Sequence, residues 1–538
     1  MTTFLSASDD YRNLTTADTV IGLSGNDFIL GALTGGSVIY GNSGDDTLIS
    51  QARNDTLYGG QGSDTITIQL GNVLAFGDGG ADLINGYGSD TIYGGGFGQG
   101  ADGADTITTG TVGNSLAYGN AGDDTITVGG KNDSIWGGQG NDSIVLGTSN
   151  STGSSGGLYI SGDKGNDTIL GHPTLGSTTT NTLIGGEGND YIRSDGKDWV
   201  YGNVGNDTFY TAVSDTAYGG QGDDYIIGTG AFLFGDKGND TINFTGTAAF
   251  AYGGDDNDYL AYTGAAAGSP DLYGNLGNDS LYSSGTGALL YGGQGNDYLW
   301  GSASYFGGDL DNDTIVIQNS VAGGITANGG AGDDSIVANY NGTFGATLLG
   351  GLGNDTIFGG SGADSILGGE GNDWLYSGSG GDTLTGGNGN DFFFETKLSG
   401  TLGSVLTPTT GTVAPGQGGW NPFSAGTQGT TAATAFDAMG LDTITDFTSG
   451  TDKLYLQLSG LFGTNNTLPS GQLPANNTNL VTIPITNTGF GSNTAALNYD
   501  NTTGVLFYNA NSGTSGDEIA LVRFTPNTTL IGSDIVIF

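Results

Sequence analysis

The residues GGLGNDTIF, GGSGADSIL, GGEGNDWLY, SGSGGDTLT and GGNGNDFFF, which run from Gly350 to Phe394, repeat one nine-residue pattern. Glycine recurs at the first, second and fourth positions, aspartate occupies the sixth, and a large apolar residue occupies the eighth. A strict short period of this kind indicates one small structural unit stacked upon itself. The aspartates of this stretch lie nine residues apart, at Asp355, Asp364, Asp373, Asp382 and Asp391.

Each unit predicts a turn over positions 1 to 6 and a short strand over positions 7 to 9. Because side chains alternate along a strand, we expect position 8 to point inward and positions 7 and 9 outward. Position 2 is Gly, Asn or Asp, as at Gly60, Asn42 and Asp163, and position 4 is Gly nearly throughout, with Asp256 and Asp311 as exceptions. These residue types tolerate positive φ, so the pattern predicts a left-handed bend that turns backbone carbonyls to one side.

The spacing of the motif changes along the chain. Asp46, Asp55 and Asp64 are nine residues apart, whereas full motifs between Asp167 and Asp355 recur at intervals of 16 to 23 residues. The interpretation is that one coil consists of two units, and that in the middle of the chain only one edge of the coil keeps the full motif. At both ends of the repeat region, two rows of sites are expected.

Four segments are predicted from the composition. Residues 1–13 would cap the first coil, 14–396 would form the repeat region, and 397–440, rich in Gly, Thr and Pro, would be a linker or loop. Residues 441–538 alternate like strands and predict a small C-terminal β domain. No helical periodicity is evident, so the fold class is all-β.

The acidic residues indicate a bound cation. The formal net charge is −45, and only four of the 55 acidic residues are glutamate, the rest being the shorter aspartate that suits a tight turn. Such self-repulsion opposes compaction unless counter-ions bind, and it makes nucleic acid an implausible partner. About twenty bound Ca²⁺ ions would supply about +40 charge units and nearly cancel it.

Stacked turns would offer each ion two carboxylates and several carbonyl oxygens, a shell suited to Ca²⁺ and too large and irregular for Mg²⁺. Asp355, Asp373 and Asp391 would form one column and Asp364 and Asp382 the other. The full set of candidate metal ligands is Asp27, Asp46, Asp64, Asp124, Asp142, Asp167, Asp190, Asp207, Asp224, Asp240, Asp258, Asp279, Asp297, Asp313, Asp334, Asp355, Asp364, Asp373, Asp382 and Asp391.

The motif resembles the signature of the RTX (repeats-in-toxin) family, G-G-x-G-x-D-x-U-x, over about 70% of the chain. The resemblance implies a parallel β-roll, an RTX β-solenoid, loaded with Ca²⁺ and exported by a type I system to the extracellular medium or the cell surface. DTITDFTSGTDKLYL, Asp442–Leu456, resembles the segment after the repeats in this family, and DIVIF, Asp534–Phe538, resembles an uncleaved export signal. The N-terminal residues show no secretory signal of the usual kind, and no apolar stretch is long enough to span a membrane.

Catalytic signatures are not evident in the sequence. The chain has no Cys and one His, and it shows no HExxH, no GxSxG supported by a histidine and no P-loop. Adjacent pairs such as Asp223–Asp224 could suggest glycosidase carboxylates, but they recur in turn after turn and a cation-binding turn explains them. Repeats begin near residue 15, which leaves little room before them for a separate effector domain. We therefore expect a structural protein that self-assembles into a bacterial surface layer, sheath or extracellular filament, and not an enzyme.

Position 9 is often aromatic, and we expect these rings to stack as a ladder on one sheet. The ladder is either a lateral contact face or a consequence of β-propensity. An alternative function is a calcium-dependent adhesin that binds cell-surface polysaccharide or ice through the outer face of the roll, for example through the position-7 threonines such as Thr47 and Thr65. The aromatic residues are Tyr40, Tyr58, Tyr118, Trp136, Tyr201, Tyr218, Tyr252, Tyr273 and Tyr291.

Overall fold

A computed structural model of the chain divides into two compact units, Met1–Tyr259 (unit 1) and Leu260–Phe538 (unit 2). The linker expected at 397–440 lies outside the described part of the chain. The structure describes residues 2–96, 102–147, 157–171, 180–229, 232–246, 250–265, 267–318, 324–339, 344–395, 442–448, 451–456, 480–485, 495–500, 504–509, 518–525, 528, 530 and 534–537.

Unit 1 consists of two parallel sheets, sheet A and sheet B, between which the chain alternates. Neighbouring strands of one sheet are one coil apart in sequence and pair in register, so that Tyr40 lies beside Tyr58. Sheet A contains Thr2–Phe4, Thr19–Ile21, Val38–Ser43, Thr56–Gln61, Leu74–Gly79, Thr91–Gly95, Leu116–Ala121, Ser134–Gln139, Tyr159–Lys164, Thr182–Glu187, Trp199–Val204, Thr216–Gln221, Phe232–Lys237 and Phe250–Asp255. Sheet B contains Tyr11–Asn13, Phe28–Leu30, Thr47–Ser50, Thr65–Ile68, Leu83–Asn85, Thr106–Thr108, Thr125–Val128, Ser143–Leu146, Thr168–Leu170, Tyr191–Arg193, Thr208–Tyr210, Tyr225–Thr229 and Thr241–Thr245.

Unit 2 repeats this alternation, and the same names are used for its two sheets. A further strand, Tyr259–Tyr262, spans the boundary between the units. Sheet A contains Asp271–Leu276, Leu289–Gln294, Tyr305–Leu310, Thr326–Ala331, Thr347–Leu352, Ser365–Glu370, Thr383–Asn388 and Thr443–Ile444. Sheet B contains Ser280–Ser283, Tyr298–Gly301, Thr314–Ile317, Ser335–Ala338, Thr356–Phe358, Trp374–Tyr376, Phe392–Glu395, Lys453–Leu456 and Ile535–Ile537.

The C-terminal segment continues the stack before it changes direction. Thr443–Ile444 pairs in parallel with the sheet A strand that begins at Thr383, and Lys453–Leu456 pairs in parallel with the sheet B strand Phe392–Glu395. Four later strands form an antiparallel arrangement, joined to the roll by the pairing of Thr443 with Arg523. These strands are Leu480–Ile485, Ala495–Asp500, Val505–Asn509 and Glu518–Phe524.

At the other end of the chain, the residues expected to cap the roll already take part in it. Thr2–Phe4 pairs in parallel with Thr19–Ile21 in sheet A, and Tyr11–Asn13 pairs with Phe28–Leu30 in sheet B. Within the described residues, no segment forms a helix long and apolar enough to cross a membrane.

The core is a thin layer between the two sheets of each unit. Position 8 supplies it, as expected: Ile66, Ile144 and Ile357 are 0% exposed, while positions 7 and 9 of the same strands are half-buried. Burying one large apolar side chain contributes about 1.5 to 3 kcal/mol, so each three-residue strand is held by little more than one such contribution. The predicted all-β parallel β-solenoid is confirmed, and its thin core leaves much of the cohesion to the turns.

Candidate metal centres at the turns

Each coil crosses between the sheets twice. We call the turn that leads from sheet A to sheet B the first edge, and the turn that leads from sheet B back to sheet A the second edge. First-edge turns have the predicted left-handed bend: φ is 78° at Asn42 in position 2 and 120° at Gly44 in position 4. The two position-4 exceptions also adopt it, with φ of 78° at Asp256 and 74° at Asp311.

The position-6 aspartates of the first edge form a continuous ladder within each unit. Asp46 Oδ1 accepts the backbone N–H of Asp27 at 2.7 Å, and the N–H of Asp46 donates to Asp64 Oδ1 at 2.7 Å. The carboxylates that accept such a bond are Asp27, Asp46, Asp64, Asp82, Asp105, Asp124, Asp142, Asp167, Asp190, Asp207, Asp224, Asp240 and Asp258 in unit 1, and Asp297, Asp313, Asp334, Asp355, Asp373 and Asp391 in unit 2. Asp279 lies on the same edge and donates to Asp297.

The second oxygen of most of these carboxylates is buried and lacks a hydrogen-bond donor within the described part of the chain. Asp46 is 1% exposed and its Oδ1 is used in the ladder, but its Oδ2 has no partner. A buried carboxylate oxygen without a donor is costly, so each one implies a cation or a proton. The same holds for Oδ2 of Asp27, Asp64, Asp82, Asp105, Asp124, Asp142, Asp167, Asp190, Asp207, Asp224, Asp240, Asp297, Asp313, Asp334, Asp355 and Asp373.

The space around these oxygens fits a hard cation. A Cβ added at Gly41 would collide with Asp46 Oδ2 and with the carbonyl oxygen of Gly59 in the next coil, so position 1 must be glycine. Stacked turns also bring the carbonyl of Asn42 against Gly60. Among the described residues, no group of three or more His, Cys, Asp or Glu side chains forms a metal cluster. An ion here would therefore depend on backbone carbonyls, with a carboxylate from the turn, which is the oxygen-only shell that Ca²⁺ accepts.

Burial makes these carboxyl groups weak acids when no cation is bound. It raises the pKa of Asp46 to about 6, of Asp64 to about 8 and of Asp313 to about 9, each against an ordinary value of 3.8. The ladder hydrogen bond lowers each pKa, and neighbouring carboxylates raise it further. Protons and a cation therefore compete for the same oxygens.

On the second edge of unit 1, the aspartates accept hydrogen bonds at both carboxylate oxygens. Asp55 Oδ1 accepts the N–H of Ser37 at 2.8 Å, and its Oδ2 accepts the hydroxyl of Ser50 at 2.7 Å. Asp133 Oδ2 likewise accepts the Thr109 hydroxyl at 2.7 Å. Asp90, Asp198 and Asp215 also receive donors at both oxygens. With both oxygens satisfied by the chain, this edge does not present the second row of sites expected at the N-terminal end.

The second edge of unit 2 changes along its length. The residues at the corresponding position are neutral at Ala288 and Ala346, and the column resumes where the Ala346 N–H donates to Asp364 Oδ1 and the Asp364 N–H to Asp382 Oδ1. In the described structure, no N–H or O–H donor reaches Asp382 Oδ2; burial and the neighbouring Asp442 raise the pKa of Asp382 to about 8. Asp364 and Asp382 thus form a second column beside Asp355, Asp373 and Asp391, as predicted.

Two first-edge aspartates with a donorless Oδ2 in the described structure were missing from the sequence prediction. Asp82 and Asp105 occupy the ladder with the same donorless Oδ2 as their neighbours. Asp82 ends GDGGAD, Gly77–Asp82, a motif with Asp at position 2 and Ala at position 5, which would have identified it. Asp105 is separated from Gly94 by extra residues in the turn, so the fixed spacing fails there.

A further ladder runs along the exposed side of the first edge at position 5, where Asn or Asp is frequent. The N–H of Asn166 donates to Asn141 Oδ1 at 2.7 Å, and the N–H of Asn189 donates to Asn166 Oδ1 at 2.7 Å. Its direction is opposite to that of the buried ladder, since each N–H reaches the preceding coil. Where both ladders are present, they bond a first-edge turn to the coil before it and to the coil after it.

Comparison with known proteins agrees with this geometry. A family model described as the RTX calcium-binding nonapeptide repeat (4 copies) matches residues 15–33, 40–73, 118–152, 175–209, 211–231, 285–304, 340–375 and 367–394. A search of curated proteins found no significant match. The matched segments include first-edge turns of both units, such as those of Asp46 and Asp355, whereas Asp82, Asp240 and Asp313 lie between them. The chain is therefore an RTX repeat protein with calcium-binding nonapeptide repeats.

Proposed function

We propose that this protein is a secreted structural protein, stiffened by about twenty Ca²⁺ ions, that self-assembles into a bacterial surface layer, sheath or extracellular filament. The observation that carries the proposal is the column of buried first-edge carboxylates whose second oxygen has no donor in the described structure. Each unit contains such a column. RTX repeats bind Ca²⁺ and are typical of extracellular proteins exported by type I systems. In this proposal the calcium-binding roll itself performs the structural role, which needs no catalysis.

The ligands proposed are the first-edge aspartates of the sequence prediction together with Asp82 and Asp105, and Asp364 and Asp382 on the second edge of unit 2. Each ion would lie between successive turns, where a carboxylate oxygen of one turn approaches the carbonyl of the next coil, as Asp46 Oδ2 and the Gly59 carbonyl do at Gly41. Because one ion contacts two coils, calcium would hold neighbouring coils at a fixed separation.

The aromatic ladder supports lateral assembly. Tyr40 and Tyr58 stack at 4.7 Å with their planes 5° apart, and Tyr218 stacks on Phe234 at 4.7 Å. Tyr273 and Tyr291 stack at 5.0 Å in unit 2. Rings stacked in this way cover one another's faces and present a row of edges and hydroxyl groups outward. A regular row of this kind is a plausible contact for a second copy of the chain.

Electron microscopy of purified protein in millimolar Ca²⁺ tests the proposal, and ordered filaments or sheets are expected. Serine at Tyr40, Tyr58 and Tyr118 should weaken assembly while leaving the circular dichroism spectrum unchanged. The matched control is serine at Tyr191 and Tyr225, which are 37% and 39% exposed on sheet B of the same unit. Protein that binds calcium, folds and stays monomeric at all concentrations would contradict the structural role.

A further inference from the structure

The aromatic ladder of unit 1 is interrupted at two successive coils of sheet A. Tyr118 and Trp136 stack at 4.6 Å with planes 5° apart, but the residue beside Trp136 in the next strand is Ser161, and the one after it is Ile184. On that side Trp136 meets Tyr159, which is tilted by 46° at 5.6 Å. Inside the ladder each ring face is covered by the next ring, so an interruption is where an aromatic face can become available to a ligand.

A cavity of about 450 Å³ lies at this interruption. Its lining includes the aromatic residues Tyr118 and Trp136 and the polar residues Gln139, Asp163, Lys164 and Glu187. The strand register explains the arrangement, because Gln139 pairs with Lys164 and Lys164 pairs with Glu187 across consecutive strands of sheet A. The volume falls within the range of roughly 300 to 1,000 Å³ that is usual for small-molecule sites.

The polar side of the cavity is organised by contacts within the chain. The Ser161 hydroxyl donates to Asp163 Oδ1 at 2.5 Å, and Lys164 Nζ lies 3.1 Å and 3.2 Å from the two carboxylate oxygens of Glu187. The Lys164 and Glu187 side chains are 59% and 64% exposed, so both can still reach a ligand. Because Lys164 is offset by Glu187, the wall keeps the single negative charge of Asp163, one oxygen of which is engaged by Ser161. The wall therefore offers both donors and acceptors to the hydroxyl groups of a ligand.

We propose that this cleft, defined by Tyr118, Trp136, Gln139, Asp163, Lys164 and Glu187, binds a pyranose unit of a neutral saccharide. A pyranose has an apolar C–H face that matches an aromatic side chain, and hydroxyl groups that match a wall of amide, ammonium and carboxylate groups. An anionic ligand would meet two carboxylates, and a cationic ligand would meet Lys164. The proposal goes beyond the structural role and does not depend on self-assembly.

Isothermal titration calorimetry of the full chain in millimolar Ca²⁺ tests the proposal. Cellobiose, maltose and lactose serve as neutral probes. Saturable binding of at least one disaccharide is expected, with Kd in the region of about 1 mM that suits a shallow site. Glucosamine and glucuronic acid serve as cationic and anionic probes, and preference for either over all three neutral sugars would overturn the proposal. Absence of saturable binding to the neutral sugars would also overturn it.

Three variants locate the site. Trp136→Ala should weaken binding at least tenfold, and Gln139→Ala several-fold. Gln221→Ala is the matched control, because Gln221 has the same position in a strand where Tyr218 is stacked upon Phe234, and it should bind as the wild type does. Ser161→Tyr places a ring in the gap and should abolish binding while leaving the melting temperature in Ca²⁺ close to that of the wild type. Wild-type affinity in both folded Trp136→Ala and folded Ser161→Tyr would refute the assignment.

Discussion

Asp46 and Asp55 lie in the same coil of unit 1, on opposite edges, and each is 1% exposed. Both accept a backbone N–H from the preceding coil at Oδ1, from Asp27 and Ser37 respectively. They differ at Oδ2: that of Asp55 accepts the Ser50 hydroxyl, whereas that of Asp46 has no donor within the described structure. Aspartate in a repeat is therefore insufficient to mark a cation site. The second oxygen must also be left unsatisfied by the chain.

The turns around the two residues explain the difference. The Asp46 turn, Gly41–Asp46, has glycine at positions 1 and 4 and carries no hydroxyl that reaches the carboxylate. The Asp55 turn, Ser50–Asp55, replaces the first glycine by a serine whose Oγ bonds both the Ala52 carbonyl and Asp55. One turn stays open to an ion, and the other is closed by its own side chain.

Removal of calcium should have the largest effect. At pH 8 in excess chelator, we expect the repeat region to lose most of its β signal in circular dichroism, because stacked buried carboxylates repel and the core between the sheets is thin. Restoring millimolar Ca²⁺ should recover the signal, whereas Mg²⁺ at the same concentration should not. An undiminished β signal in circular dichroism in chelator at pH 8 would contradict the dependence of the first edge on ions.

Acidification should partly replace calcium. The pKa in the folded chain is raised from 3.8 to about 6 at Asp46 and to about 9 at Asp313. Between pH 3.8 and the raised pKa of each group, the folded chain therefore binds more protons than the unfolded chain. The calcium-free fold therefore loses stability as pH rises through this window, and each unit of pKa difference corresponds to about 1.4 kcal/mol. In chelator, urea melts should show more resistant structure at pH 5 than at pH 8.

The same protons compete with calcium, so the calcium-bound protein should show the opposite trend. Calcium affinity is expected to increase from pH 5 to pH 8, because fewer protons then have to be displaced from the first edge. Calcium titrations at the two pH values provide the control. If the chelated chain were least stable at pH 5, the assignment of the raised pKa values to the folded state would fail.

Paired substitutions separate the two edges directly. Asp46→Asn keeps an oxygen that can accept the Asp27 N–H but removes the charge, so we expect fewer bound Ca²⁺ ions by equilibrium dialysis and a lower melting temperature in calcium. Asp55→Asn is the matched control on the second edge. It should cost about 1 to 2 kcal/mol through the weakened Ser50 contact and leave the ion count unchanged. Loss of ions from both variants alike would remove the distinction between the edges.

A glycine pair compares the two edges without changing a charge. Gly41→Ala places a methyl group against Asp46 Oδ2 and the Gly59 carbonyl, whereas the nearest atom to a Cβ at Gly31, at the start of a second-edge turn, is the Ile49 carbonyl oxygen at 3.1 Å. We expect Gly41→Ala to cost about 1 to 3 kcal/mol and to reduce calcium affinity, measured by thermal melts over a calcium series. Gly31→Ala should shift the melting temperature less, and by the same amount at every calcium concentration of the series.

Much of this architecture could be predicted because the repeat acts through local rules. Alternation predicts that Ile66 is buried, residue type predicts the positive φ of Asp256, and a spacing of eighteen predicts the stacking of Tyr273 on Tyr291, all as observed. These features depend only on the residue and its phase in the repeat, which the sequence displays directly.

The remaining features depend on contacts between coils. The second oxygen of Asp55 is satisfied because the Ser50 hydroxyl donates to it. Asp105 takes its place in the ladder although extra residues separate it from Gly94 in the sequence. The ladder interruption at Ser161 is visible as a residue type, but the cavity beside it requires the register of Gln139 and Lys164. Spacing alone reports neither hydrogen-bond partners nor the shape of a cleft.

The direction of the buried ladder has a consequence for how the chain becomes ordered. The Asp27 N–H is satisfied by Asp46, and the Asp46 N–H by Asp64, so each turn is completed by residues that come later in the sequence. A ribosome makes the earlier turn first, and that turn must wait for the next coil before its N–H is bonded. Each newly made turn of the first edge therefore has its position-6 N–H bonded only after a further coil has followed it. A chain shortened from its C-terminus would leave its final turn open, whichever coil that happened to be.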